Sequence, residues 1–216
     1  LKGFNSAMDL AVGDLDGDGD LDVVTIGGIP DDALTVFTNR GNGDFLATTR
    51  VRVVGGEAPV FVVDVDADGD EDIFCDNYAS AAVVVENLGG GRLAAPVRMP
   101  FAAAPRAIVP ADLDGDRRVD FAICREDHGD AAVHWNQGVL EFSEDISVGL
   151  TGLGMRIAAV DIDVDGLPDL VVVGYGVGVQ VLPNAGGREF GQLRVVAESA
   201  DDFVAGDFDA DGDADL

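Results

Sequence analysis

Five times along the chain, aspartates stand at the first, third, fifth and ninth places of one short segment. They are Asp14, Asp16, Asp18 and Asp22; Asp64, Asp66, Asp68 and Asp72; Asp112, Asp114, Asp116 and Asp120; Asp161, Asp163, Asp165 and Asp169; and Asp207, Asp209, Asp211 and Asp215. Carboxylates crowded into one turn raise each other's pKa unless a counter-ion joins them. All-oxygen donors select a hard cation, and so many carboxylates favour Ca²⁺, which takes about 6 to 8 oxygens, over Mg²⁺, which keeps its waters. The expectation is up to five Ca²⁺, one per loop. A sharp turn after the third Asp needs a residue that tolerates positive φ, and Gly19, Gly69, Gly166 and Gly212 supply it at the sixth place. Arg117 stands there in the third copy, so that loop is expected to be distorted or to bind more weakly. The seventh place varies (Asp20, Asp70, Arg118, Leu167, Asp213), as it should where the ligand is a backbone carbonyl.

The elements that must hold these loops follow from their period. Successive first aspartates are 50, 48, 49 and 46 residues apart. A second marker runs in the same register: Asn39, Gly41 and Phe45; Asn87, Gly89 and Leu93; Asn136, Gly138 and Phe142; Asn184, Gly186 and Phe190. Between markers lie short β-rich runs, in the second copy Val60 to Val63, Ile73 to Cys75, Val83 to Val85 and Val97 to Phe101, with no sustained helical period. Four short antiparallel strands per repeat of this length predict an all-β fold of β-propeller blades. The blades span approximately 7–54, 58–102, 104–150 and 154–198, with part of a fifth over 202–216, in one array over 1–216. The second place of each loop is apolar (Leu15, Val65, Leu113, Ile162, Phe208), as is the tenth (Val23, Ile73, Phe121, Leu170, Leu216), so each loop is expected to join two buried strands. An EF-hand is excluded: the twelfth place holds Thr25, Cys75, Ile123 or Val172, never Glu, and the flanks are strands.

Five in-register DxDxDGxxD-type loops make the chain resemble the FG-GAP or VCBS-type repeat propellers, relatives of which include integrin α-subunit heads, bacterial surface proteins, and some lectins and polysaccharide lyases. The resemblance implies that the aspartates at places one, three, five and nine are the side-chain ligands, with place seven adding a carbonyl. It also implies a wheel of about seven blades, so four and a half blades are expected to be a piece of a longer wheel, or else part of an intermolecular wheel or an open array. The expected function is a calcium-binding binding, adhesion or structural scaffold. Its alternatives are a lectin-like or lyase-associated carbohydrate module and a self-assembling structural protein.

The chain's 216 residues carry 41 acidic against 13 basic side chains, a net charge of −28. Such a surface repels nucleic acid and anionic membranes, so the partner is expected to be a protein or glycan, or another copy pairing through an open blade edge. Loops of about 10⁻⁴ M affinity fill only where calcium is near millimolar, which predicts an extracellular or cell-surface location. Cys75 and Cys124 lie in apolar runs and are expected to be packing residues. Outside the loops, His128, His134, Tyr78, Tyr175, Trp135, Glu86, Glu126 and Glu141 form no catalytic motif, and the segment is not expected to be an enzyme. Trp135 and His134 are expected to pack within a blade, with a sugar platform on Trp135 as the alternative.

Overall fold

The computed structural model describes residues 7–27, 33–53, 56–77, 81–100, 105–125, 128–138, 141–143, 146–176, 178–210 and 212–216. Tyr78, Glu126 and Asp211 lie outside the described residues. The described chain is all-β, and it contains no helix long and apolar enough to cross a membrane. The chain divides into two compact units, Leu1–Ala104 and Pro105–Leu216, and each consists of four-stranded antiparallel sheets.

In the first unit, strands β1 (Ala7–Gly13), β2 (Asp22–Gly27), β3 (Ala33–Asn39) and β4 (Phe45–Arg52) form one sheet in chain order. Strands β5 (Gly56–Val63), β6 (Asp72–Asn77), β7 (Ala81–Val85) and β8 (Val97–Pro100) form the next. Strands β1 and β5 lie against each other, and one apolar cluster (Leu15, Val24, Ile26, Leu34, Val60, Ile73, Cys75 and Val83 among it) fills the space between the sheets. The second unit repeats this plan. Strands β9 (Pro105–Ala111), β10 (Asp120–Arg125), β11 (Asp130–His134) and β14 (Ile146–Gly149) make one sheet, with a small hairpin of β12 (Asn136–Gly138) and β13 (Glu141–Phe142) before its fourth strand. Strands β15 (Gly154–Val160), β16 (Asp169–Gly174), β17 (Gly178–Leu182) and β20 (Arg194–Ala197) make the other, with β18 (Asn184–Gly186) and β19 (Glu189–Phe190) as the matching hairpin.

Val, Ile, Phe and Ala dominate the second and third strands because these are covered on both faces: β7, β16 and β17 are buried throughout. The first strands differ from expectation. In β1, Leu10 and Val12 are 60% and 52% exposed, and β9 and β15 are mostly half-buried. Each is the terminal strand of its sheet with a single hydrogen-bonded neighbour, so the loop joins a half-covered strand to a buried one. The apolar second place of the loop holds its burial better. Leu15, Val65 and Leu113 are fully buried, each stabilising the fold by about 1.5–3 kcal/mol. The fifth copy departs from this register, with Phe208 and Leu216 exposed: among the described residues its strand pairing is the single Gly206–Asp215 bridge.

Cys75 and Cys124 are buried packing residues, as expected. Burial pushes the Cys124 thiol up to about 12, which keeps it an inert packing group.

Candidate metal centres

Each of the first four acidic loops is a nine-residue turn between the first and second strands of a sheet, wound around the carboxylate of its first Asp, and in the fifth copy the isolated Gly206–Asp215 bridge flanks the turn. In the first loop, Asp14 Oδ1 accepts the backbone N–H groups of Gly17 and Asp18 at 2.9 and 3.1 Å, and Oδ2 accepts that of Gly19 at 2.9 Å. The bond from the sixth N–H to the first carboxylate recurs in every loop: Gly69 to Asp64, Arg117 to Asp112, Gly166 to Asp161 and Gly212 to Asp207, at 2.8–3.2 Å. In the first four loops the seventh residue's N–H donates to the Asp at the fifth place: Asp20, Asp70, Arg118 and Leu167, all at 2.9 Å.

This winding requires two residues at positive φ. The sixth place was legible: Gly19, Gly69, Gly166 and Gly212 have φ of 92–99°. The expectation for the third copy is corrected, because Arg117 adopts φ 68° and makes the same bond to the first Asp, at 2.8 Å. Its backbone follows the loop, and the third turn is not distorted. The fourth place escaped sequence reading. Gly17 and Gly115 sit there in two copies, but Ala67, Val164 and Ala210 take φ of 61–64° in the others. A β-branched residue in that region is strained, and it persists only where its surroundings over-determine it.

The ninth Asp is a brace as well as a candidate ligand. Its Oδ2 accepts the N–H of the apolar second residue (Leu15, Val65, Leu113, Ile162 and Phe208, at 2.9–3.2 Å) and thereby closes the loop. Its Oδ1 accepts the N–H of the marker asparagine: Asn39 to Asp22, Asn87 to Asp72, Asn136 to Asp120 and Asn184 to Asp169, at 2.7–2.8 Å. The second sequence marker is thus the clamp of the first. The same asparagine pairs with the apolar residue six places on (Asn39 with Phe45, Asn87 with Leu93, Asn136 with Phe142, Asn184 with Phe190) and closes a hairpin over the loop. Its Nδ2 donates to the carbonyl of the loop's eighth residue, and in Asn87 and Asn184 also to Leu15 O and Leu113 O of the preceding repeat, at 2.8 and 2.7 Å.

The carboxylates converge as a metal would need. One oxygen each from Asp14, Asp16 and Asp18, from Asp64, Asp66 and Asp72, from Asp112, Asp114 and Asp120, from Asp161, Asp163 and Asp165, and from Asp207, Asp209 and Asp215 lie within 4.8 Å of one another. That spread matches oxygens around one ion at about 2.4 Å from each. In the second loop Asp64 Oδ1 is buried and has no hydrogen-bond partner, a cost that a bound cation would relieve. The donor set therefore fits Ca²⁺. Burial, opposed by the N–H bonds from Asn87 and Val65, pushes Asp72 up to about 6, and burial likewise pushes Asp120 to about 6 and raises Asp169. Burial is also the first cause of raised values at Asp16 and Asp66, with neighbouring aspartates adding to it.

Of the other candidates, Trp135 is buried, its ring stacked on Phe190 with centroids 6.5 Å apart and capped by the Arg188 guanidinium at 5.2 Å. Trp135 thus packs within the blade as expected and offers no open face to a sugar ring, and His134 is likewise buried. Tyr175, His128 and Glu141 are exposed.

Comparison with known proteins bears on the fold. A family model described as "FG-GAP-like repeat" matches residues 14–75, 64–123 and 112–172, so that each match runs from one acidic loop to just past the next. No curated protein matches. Among solved structures, "YCF48 bound to D1 peptide" is 9% identical with a TM-score of 0.53, over 87% of this chain and 52% of that one. BBS1N in complex with ARL6DN is 10% identical with a TM-score of 0.49, over 80% of this chain and 48% of that one. The V. cholerae biofilm matrix protein Bap1 is 17% identical with a TM-score of 0.48, over 81% and 26%. The chain thus spans about half or less of the length of these structures, and the likeness to YCF48 shows the fold alone.

Proposed function

The chain belongs to the family of FG-GAP-like repeats, and from that premise we propose that it is a calcium-stabilised β-propeller segment serving outside the cell as a binding or adhesion scaffold. The observation that carries the reading is the set of convergent carboxylates in each loop, with the orphaned Asp64 Oδ1 at the centre of the second. Bound calcium supplies the positive charge that lets the carboxylates sit together in ionised form. The chain's own residues do the positioning: the first Asp gathers the turn's N–H groups, the ninth closes the loop, and the asparagine hairpin holds the ninth in place.

The metal's role in this reading is structural. A site of about 10⁻⁴ M affinity in about 1 mM calcium contributes about 1.4 kcal/mol, and several together rival the roughly 5–15 kcal/mol stability of a whole domain. Those affinities suit an extracellular setting. The partner is a protein or structural ligand met by surfaces away from the loops. Trp135, on which the lectin alternative leaned, is buried, and this favours a scaffold that does not stack sugars on that ring. Thermal unfolding followed in about 1 mM calcium and again in excess chelator tests the reading. A midpoint many degrees higher with calcium is expected, and identical midpoints would refute it.

A further inference from the structure

The five acidic loops do not share one charge environment. Two arginines close on the third. Arg188 Nε and Nη2 both lie 2.7 Å from Asp114 Oδ2, whose side chain is only 8% exposed. Arg118 Nη2 pairs with Asp116 Oδ2, while its Nε donates to Asn136 O at 3.2 Å, which ties the group to the hairpin over the loop. Arg188 Nη2 also approaches Asp116 Oδ2 at 4.0 Å, so the two guanidiniums meet at the Asp116 carboxylate.

Neither arginine is where its repeat would put one. Arg118 takes the seventh place, which holds Asp20, Asp70 and Asp213 in three other copies. Arg188 follows its marker Asn184 by four residues, where the first two copies have Gly43 and Gly91. That backbone place is left-handed in all three, with φ of 82°, 70° and 67°, so Arg188 bears a strain its glycine counterparts avoid. The equivalent hairpin in the first unit brings Gly91 beside Asp16, where a Cβ would meet Asp16 Cβ at 3.4 Å. The repeat thus aims this position at the Asp in the third place of the preceding loop, and only Arg188 extends a cation from it. Trp135 beneath the guanidinium fixes its direction.

The count of charge follows. Residues 64–72 hold five Asp and one Glu, a formal −6; residues 112–120 hold four Asp against Arg117 and Arg118, and with Arg188 the site stands at −1. Asp114 and Asp116 are the carboxylates at the third and fifth places, two of the four expected to face a bound ion.

We propose that the third loop carries its counter-charge in the protein itself, with the Arg118 and Arg188 guanidiniums standing where the other loops take calcium, so that it is folded and saturated without a divalent ion. Four Asp at the right spacing then mark a metal loop that has become an internal salt-bridge cluster joining the third and fourth repeats. The proposal rests on the calcium reading of the other loops, and the test separates the two. Calcium stoichiometry is measured by calorimetric titration or equilibrium dialysis on the full chain and its variants. Asp68→Asn in the second loop should lower the stoichiometry by one, whereas Asp116→Asn in the third should leave it unchanged. Arg118→Asp combined with Arg188→Gly, which restores the residues of the first unit, should raise it by one. Loss of a calcium on Asp116→Asn overturns the proposal while leaving the calcium reading intact. A wild-type chain that binds no calcium overturns both, and an unchanged stoichiometry in a folded Arg118→Asp/Arg188→Gly chain overturns the proposal alone. Should that double variant not fold, the contrast between Asp68→Asn and Asp116→Asn decides.

Discussion

Val164 shows how far the loop dictates its residues. It occupies the fourth place at φ 61° with its side chain 60% exposed, so the strain of a β-branched residue there has no packing to offset it. Strain of this kind costs about 1–3 kcal/mol. Val164→Gly should therefore stabilise the chain by about 1 kcal/mol, seen as a melting midpoint about 2–4 °C higher in chelator. A lower midpoint would show that the turn is held open by something other than its own bonds. The gathering of carboxylates in each loop was legible in the sequence, because aspartates at alternate places of one short turn are forced close together. The fourth place was less so: Gly17 and Gly115 were the signal, masked by Ala67, Val164 and Ala210. Arg117 misled in the opposite direction, since a substitution at a glycine place does not report on a backbone that other bonds enforce. The arginines that matter, Arg118 and Arg188, act through side chains, and Arg188 reaches a partner 74 residues away that no local spacing reveals.

At the scale of the element, the asparagine hairpin links what the sequence shows as two separate markers. The period of the markers, the four strands per copy and the turn places were all readable, because strand alternation and turn chemistry are local. That Asn184 bonds Asp169 Oδ1, Pro168 O and Leu113 O at once was not readable, for those partners lie 15, 16 and 71 residues away. Asn184 is buried, and its amide satisfies two carbonyls in an apolar setting. Asn184→Ala leaves both carbonyls unpaired at about 1–3 kcal/mol each. The expected result is a loss of about 2–4 kcal/mol in denaturant unfolding, with the second unit affected first as judged by the fluorescence of Trp135. A loss under about 0.5 kcal/mol would mean that water replaces the amide and that the hairpin is not a clamp. The first strands taught a different lesson. Their small apolar residues suggested full burial, but residue size reports how closely neighbours approach and not how many there are.

For the molecule as a whole, acidity and stability are tied together through the loops. Asp72 and Asp120, lifted to about 6 by burial, hold a proton more tightly folded than unfolded, where the value is about 3.9. Their contribution is therefore fullest below about pH 4 and is lost as pH rises toward about 6. In chelator the chain should be less stable at pH 7 than at pH 5. Calcium binds only ionised carboxylates, so it should reverse that order, and its affinity should weaken as pH falls through about 6. Asp130, held low by its bonds from Arg125, opposes the trend only in acid below the usual carboxylate range. Unfolding at the two pH values, with and without calcium, checks the sign; greater stability at pH 7 in chelator would show that these carboxylates are not desolvated in the folded chain. The asparagine contacts between repeats add a dimension of time. Leu15 O waits for Asn87, and Leu113 O for Asn184, 72 and 71 residues further along. At about 5–20 residues per second of synthesis, each of these loops leaves the ribosome roughly 4–14 s before its last bond can form. Assembly is thereby given a direction within each unit: the first and third repeats are finished by their successors, and maturation of those two acidic loops trails chain growth by one and a half repeats.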